Sequence, residues 1–163
     1  MSNKIKEKVI PKKDAVFWLD KNGCWCNAHG KFEHTKIIDY FHSCIKRDQG
    51  GYYLSQVNGN YIEKVYFPYE DQALFVIDVV RQDEITLILN TKRRILLDPE
   101  SLLIKDDNLY MRMGDETLKF VEHGLTKLAQ LLEDEDGRYY VRLKGRRYSI
   151  PILDDSSMVS NAR

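Results

Sequence analysis

Several familiar signals are missing from this chain, and each absence narrows what it can be. No apolar run is long enough to cross a bilayer. Behind Met1-Ser2-Asn3-Lys4 come further lysines rather than an apolar stretch, so no secretory signal is expected. Neither sign of charge is in excess, with 25 Lys and Arg against 25 Asp and Glu. No bulk field therefore draws the molecule to membrane or nucleic acid, and neither is the expected partner. The 3 cysteines are an odd count, and two of them form Cys24-x-Cys26. That usage suits a reducing cytoplasm better than a disulfide scaffold. There is no Gly-rich phosphate loop, no Gly-x-Ser-x-Gly elbow and no His-Glu-x-x-His, so an enzyme has no motif to stand on and no cofactor is implied.

What is present is a passage that occurs twice. The first copy reads Ile37-Ile38-x-x-Phe41-x-x-Cys44-Ile45, then Asp48, Gly50, Tyr52-Tyr53-Leu54 and Asn58-Gly59. The second reads Leu125-x-x-Leu128-x-x-Leu131-Leu132, then Asp136-Gly137, Tyr139-Tyr140-Val141 and Lys144-Gly145. Such self-similarity points to one supersecondary unit used twice. Each copy reads as helix, glycine turn, strand, tight turn, strand. Thr35 is placed to cap the first helix. The second spans about Gly124 to Glu135 and ends at Gly137. Asn22-Gly23, Asn58-Gly59, Gln82-Asp83-Glu84, Asp106-Asp107-Asn108 and Lys144-Gly145 each separate apolar runs and predict hairpins. The opening hairpins align as well, with Trp25 opposite Tyr110, and Cys24 and Cys26 opposite Leu109 and Met111.

The expected fold class is α+β, mostly antiparallel sheet with two helices, built from two related hairpin-helix-hairpin halves. A chain of 163 residues can bury roughly 70% of its unfolded surface. The expected division is a flexible basic arm at 1–13, a first half at 14–98, a second at 99–153 and a disordered tail at 154–163. Tyr52, Leu54, Phe75, Ile77, Leu128, Leu132, Tyr139 and Val141 are the expected core.

The order of Trp18-Leu19-Asp20, Gly23 and Trp25, then Phe41, Ile45, Asp48 and Gly51-Tyr52-x-Leu54, resembles the bacterial domain of unknown function 1285 family. Glu63-Lys64-Val65, Glu70-Asp71 and Phe75-Val76 continue the resemblance, which covers most of Ala15 to Ile152. After Leu54 the chain has Gln56-Val57-Asn58-Gly59 where the family pattern has a Thr-Pro turn. The resemblance implies a two-part α+β fold of repeated motifs and a role in signal transduction.

Four groups of residues could carry chemistry. Cys24, Cys26, His29, His34 and Cys44 offer the soft ligands zinc prefers. Leu109 and Met111, opposite the first two in the repeat, make core packing the expected role, and no metal is expected. Glu70 and Asp71 beside Pro68 could serve as acid and base in a hydrolase or transferase with a nearby histidine, or simply solvate a turn. Of Tyr52-Tyr53 and Tyr139-Tyr140, one of each pair should face out by strand alternation. Finally, Arg142 and Arg147 on facing strands, with Lys144 and Arg146 near the turn and Tyr140 beside them, could converge on phosphate or carboxylate. The alternative is a charged edge that blocks aggregation. The expected function is a cytoplasmic module that binds a small anionic ligand or a protein partner in signalling or regulation. Self-association into a homodimer stays open.

Overall fold

A computed structural model describes residues 6–154. By contact these fall into two units, one of 6–73 with 90–92 and the other of 74–89 with 93–154. The first unit opens with β1 (Lys6–Ile10), which pairs in parallel with a later strand. There follows a meander of β2 (Phe17–Leu19), β3 (Trp25–Asn27) and β4 (Gly30–Lys31). Helix α1 (Thr35–Ser43) leads to β5 (Ile45–Asp48), β6 (Gly51–Asn58) and β7 (Tyr61–Tyr66). These last three strands and β1 form a sheet in the order β1-β7-β6-β5. Leu19, Trp25, Leu54, Val65 and Phe67 are its buried core.

The second unit contributes β8 (Leu74–Arg81), β9 (Ile85–Leu89), β10 (Arg94–Leu96), β11 (Leu102–Lys105), β12 (Asn108–Met113) and β13 (Glu116–Phe120). They make one sheet, β10-β9-β8-β13-β12-β11, in which only β13 and β8 run parallel. Helix α2 (Glu122–Leu128), a 3-10 turn over Ala129–Leu131, and a meander of β14 (Leu132–Glu135), β15 (Arg138–Leu143) and β16 (Arg146–Ile150) complete it. Phe75, Val76, Leu87, Leu118, Leu128 and Val141 are buried here. Among the described residues no helix is long and apolar enough to cross a membrane. The class is α+β, with mostly antiparallel sheets and two helices.

All five expected hairpins form, and all but the Gln82-Asp83-Glu84 turn use residues in left-handed backbone. Gly23, Gly59 and Gly145 take φ of 81°, 62° and 77°. The helices are shorter than the apolar spacing suggests. α1 ends at Ser43, and Ile45 opens a strand whose register sets it against Leu54. Likewise Leu132 leaves the helical turn and pairs with Val141. In both places a strand partner satisfies the backbone groups that a longer helix would have bonded internally. His34, not Thr35, is the residue before the first turn of α1.

The stretch expected to be a flexible arm contains β1. Its side chains are almost all exposed, which gives it an arm's composition, but its backbone is paired to β7 from Lys6↔Tyr61 to Ile10↔Val65. Residues 1–5, and the tail expected from 154 apart from Asp154 itself, lie outside the described residues. The contact division falls at Ala73–Leu74, upstream of the expected break at 98–99, because β8 pairs with both β9 and β13. Of the expected core, Leu54, Phe75, Leu128 and Val141 are buried. Tyr52, Ile77 and Leu132 are half-buried, and Tyr139 is 37% exposed. Tyr139 lies two residues before buried Val141, on the same strand face but where that face is uncovered.

Candidate functional site

In the first unit the candidate residues serve the fold. Asp20 is 8% exposed, and its Oδ1 accepts from the backbone N–H of Asn22 and Cys24, each at 2.9 Å. That closes the β2–β3 turn. The buried Cys26 thiol donates to Asp20 Oδ2 at 3.9 Å, and burial, then the Asp20 charge, raises its pKa. Burial, then the Asp20 charge, raises the Cys24 pKa too. His29 and His34 are exposed, while Cys44 is buried. Glu70 Oε2 accepts from Lys21 N at 3.1 Å, and Glu70 N donates to Leu19 O at 2.9 Å. Glu70 is thus committed to stapling this same turn, and Asp71 beside it is half-buried.

Trp25 is the hub of this unit. Its ring meets Phe17, Phe41 and Phe67 edge-on at 5.8, 5.4 and 5.0 Å. Its Nε1–H donates to His42 Nδ1 at 3.1 Å, and Asn90 Nδ2 lies 3.5 Å from the same nitrogen. Burial pushes the His42 pKa down to about 4. A histidine kept neutral as an acceptor is a structural part, and its ring is not offered to a substrate.

The double tyrosines are tied down differently. Tyr53 stacks edge-on with Tyr66 at 5.6 Å, and Lys64 Nζ lies 4.4 Å from the Tyr53 centroid. Lys64 bonds Asp48, which also accepts from Tyr66 Oη at 2.9 Å. The hydrogen bond from Lys64 lowers the Asp48 pKa, and the same contact raises that of Lys64. Asp48 and Lys64, both part of the sequence resemblance, are therefore a structural staple across β5 and β7.

In the second unit Arg142 and Arg147 are cross-strand neighbours, as strand alternation expects. Their guanidiniums are occupied. Arg142 Nε and Nη2 bond the two oxygens of Glu133 at 2.5 and 3.3 Å. Arg147 bonds Glu135, sits 3.9 Å from Glu133, and lies 3.5 Å from the Tyr140 ring centroid. Hydrogen bonding from Arg142 lowers the Glu133 pKa. Donor forks already paired with neighbouring carboxylates are what a self-satisfied charged edge requires. Arg146 lies over the Tyr148 ring at 4.8 Å.

Two of the cavities in this unit border the same hairpin, and the wall of one includes Arg142 and Lys144. One cavity of about 400 Å³ is lined by Gln82 to Ile85, Leu96, Leu97, Pro99, Leu131, Arg142, Leu143, Lys144 and Tyr148. The other, about 510 Å³, is lined by Ile104, Leu109, Leu125, Ala129, Leu132, Ile150 and Ile152, with Tyr139 and the Asp106-Asp107-Asn108 turn. The volume of the second and its mostly apolar wall fit a small-molecule site. Sequence reasoning missed it because its walls come from seven separated elements, β11, β12, α2, the 3-10 turn, β14, β15 and β16, whose apolar residues each read as ordinary core. Nothing in the sequence signalled it: Tyr139 reads as core by strand alternation, and only the structure shows its ring exposed on that face.

The fold is shared with solved structures. The chain superposes on a DUF1285 family protein from Silicibacter pomeroyi DSS-3 with a TM-score of 0.57, over 95% of this chain and 87% of that one. This chain has a DUF1285-like fold. The identity is 16%, so the likeness is one of fold alone. A DUF1285 family protein from Shewanella baltica OS155 matches 66% of this chain and 84% of its own, with a TM-score of 0.46 and 17% identity. No protein-family model matches the sequence, and no curated protein matches it either.

Proposed function

We propose that this chain is a non-catalytic cytoplasmic binding module, acting in signalling or regulation, whose ligand enters the 510 Å³ cavity of the second unit. The observation that carries this reading is the cavity itself. Its wall is mostly apolar with a few polar groups, Asp106, Asp107 and Asn108, the pattern of small-molecule sites. Among the described residues no serine, threonine, cysteine, histidine or lysine lines it. A hydrolase or transferase centred on Glu70 and Asp71 has no such support, because Glu70 is used on Lys21 N.

The architecture fits a duplicated origin. Strand meander, helix, strand meander occurs from β2 to β7 and again from β11 to β16. Related halves with unequal decoration allow one to keep the fold and the other to acquire a site. A superposition of the two passages that gave opposite handedness would remove that reading.

The test is a thermal-shift screen of metabolites on the full chain, repeated with Ala129→Trp. Ala129 is exposed at the cavity wall, so an indole there fills the space without entering the packed core. A ligand that binds only the folded state must raise Tm. The expected result is a hit whose shift vanishes in Ala129→Trp. Hits that shift both proteins equally would place binding elsewhere.

A further inference from the structure

The β11–β12 turn contributes Asp106, Asp107 and Asn108 to the wall of this cavity. Asp106 and Asp107 take left-handed φ of 50° and 63°. Three other two-residue hairpin turns of the same unit each carry a glycine in left-handed backbone, Gly114 at φ 62°, Gly137 at 79° and Gly145 at 77°. A left-handed backbone favours glycine there. Asp107 instead adds a second charge next to Asp106. Both aspartates are exposed, and among the described residues neither carboxylate has a hydrogen-bond or ionic partner. No cationic side chain lines the cavity to offset them.

Two uncompensated carboxylates beside an apolar wall make a site selective by charge. A low-dielectric wall weakens screening, so an ammonium or guanidinium brought there is attracted more strongly than in open water. A carboxylate or phosphate is repelled by the same field. A neutral apolar molecule could fill the space but would leave the two charges unused. Tyr139, 37% exposed at the cavity, adds a ring face of the kind that attracts cations.

We propose that the cavity binds a small organic cation, an apolar body carrying an amine or guanidine, with the charged head against Asp106 and Asp107 and the body between Leu125, Leu132 and Ile150. This assignment rests on the cavity being the binding site and adds the chemical class of its ligand. It reverses the anionic ligand expected from the basic hairpin.

Three probes of matched shape test it: 2-phenylethylamine, 2-phenylethanol and 3-phenylpropionate, titrated calorimetrically into the full chain. The expected order is amine, then alcohol, with the carboxylate weakest. Asp106→Asn with Asp107→Asn should weaken the amine about tenfold and leave the alcohol unchanged. Asparagine also tolerates left-handed backbone, so the turn should survive, which unchanged far-UV circular dichroism would confirm. Ala129→Trp should abolish binding of both. If the alcohol binds as tightly as the amine, or the double variant leaves the amine unaffected, the cavity stands and the cation assignment fails. If no probe binds, or binding survives Ala129→Trp, the cavity reading fails and takes this assignment with it.

Discussion

His42 shows how one buried side chain sets a pH dependence. Burial holds its pKa at about 4, with Lys92 pushing the same way and Asp39 opposing. In the unfolded chain the imidazole returns to its ordinary value near 6.5. Between those two values the unfolded state binds a proton that the folded state refuses. Stability should therefore fall as pH drops from about 6.5 to about 4, by about 3 kcal/mol in total. Denaturant melts at a series of pH values would show this, and His42→Gln, which keeps an acceptor for Trp25, should flatten that limb. A second residue-scale expectation concerns Asp20. Asp20→Ala should strand the N–H groups of Asn22 and Cys24 and cost about 2 kcal/mol, read as a lower denaturation midpoint. Neither role was legible from residue types alone. The sequence places Trp25, His42 and Asn90 far apart, and nothing in their spacing says that one nitrogen of His42 faces the other two. Glu70 was legible as a turn residue, but not as the partner of Lys21.

Among elements, turns were easy to read and the ends of helices were not. Asn-Gly and Lys-Gly encode a backbone geometry locally, so the hairpins followed from two residues each. The four-residue strands β5 and β14 were absorbed into the preceding helices. Ile45 and Leu132 each fall at helical spacing, and strand pairing depends on a partner further along the chain. The strand β13 was missed although it closes a tight hairpin with β12 across Gly114-Asp115; its other partner, the parallel strand β8, lies about forty residues away, at Leu118↔Leu74. Helix α2 offers a test of what such packing demands. A Cβ on Gly124 would lie 2.7 Å from the carbonyl oxygen of Val76, which already accepts from Val121 N. Alanine normally stabilises a helix interior by about 1 kcal/mol relative to glycine. Overpacking against backbone costs about 1–3 kcal/mol, and here the obstacle is a carbonyl that cannot swing aside. Gly124→Ala should therefore lower the thermal midpoint, and a raised midpoint would mean that α2 shifts freely over β8.

On the scale of the whole chain, the unit boundary is not a single cut in sequence. Asn90–Lys92 lie downstream of β9 yet belong with residues up to Ala73. Asn90 is fully buried, donates to Ala73 O at 3.1 Å, and sits beside His42. The first unit therefore depends on a segment that no fragment ending at Ala73 contains. Without it, the Ala73 carbonyl and the polar edge of His42 lose a buried partner, at about 1–3 kcal/mol for each group left unsatisfied. Native domains keep only ~5–15 kcal/mol of net stability, so a loss of this size weighs heavily on a small unit. Tryptophan emission can follow the consequence, because both tryptophans of the chain, Trp18 and Trp25, lie in this unit. The full chain should show the blue-shifted emission of buried Trp25 and lose it in one cooperative urea transition. A fragment of residues 1–73 should emit at longer wavelength with a shallow, early transition. Asn90→Ala in the full chain should move the midpoint in the same direction by a smaller amount. A fragment whose emission and midpoint match the full chain would show that the first unit folds without its distant segment.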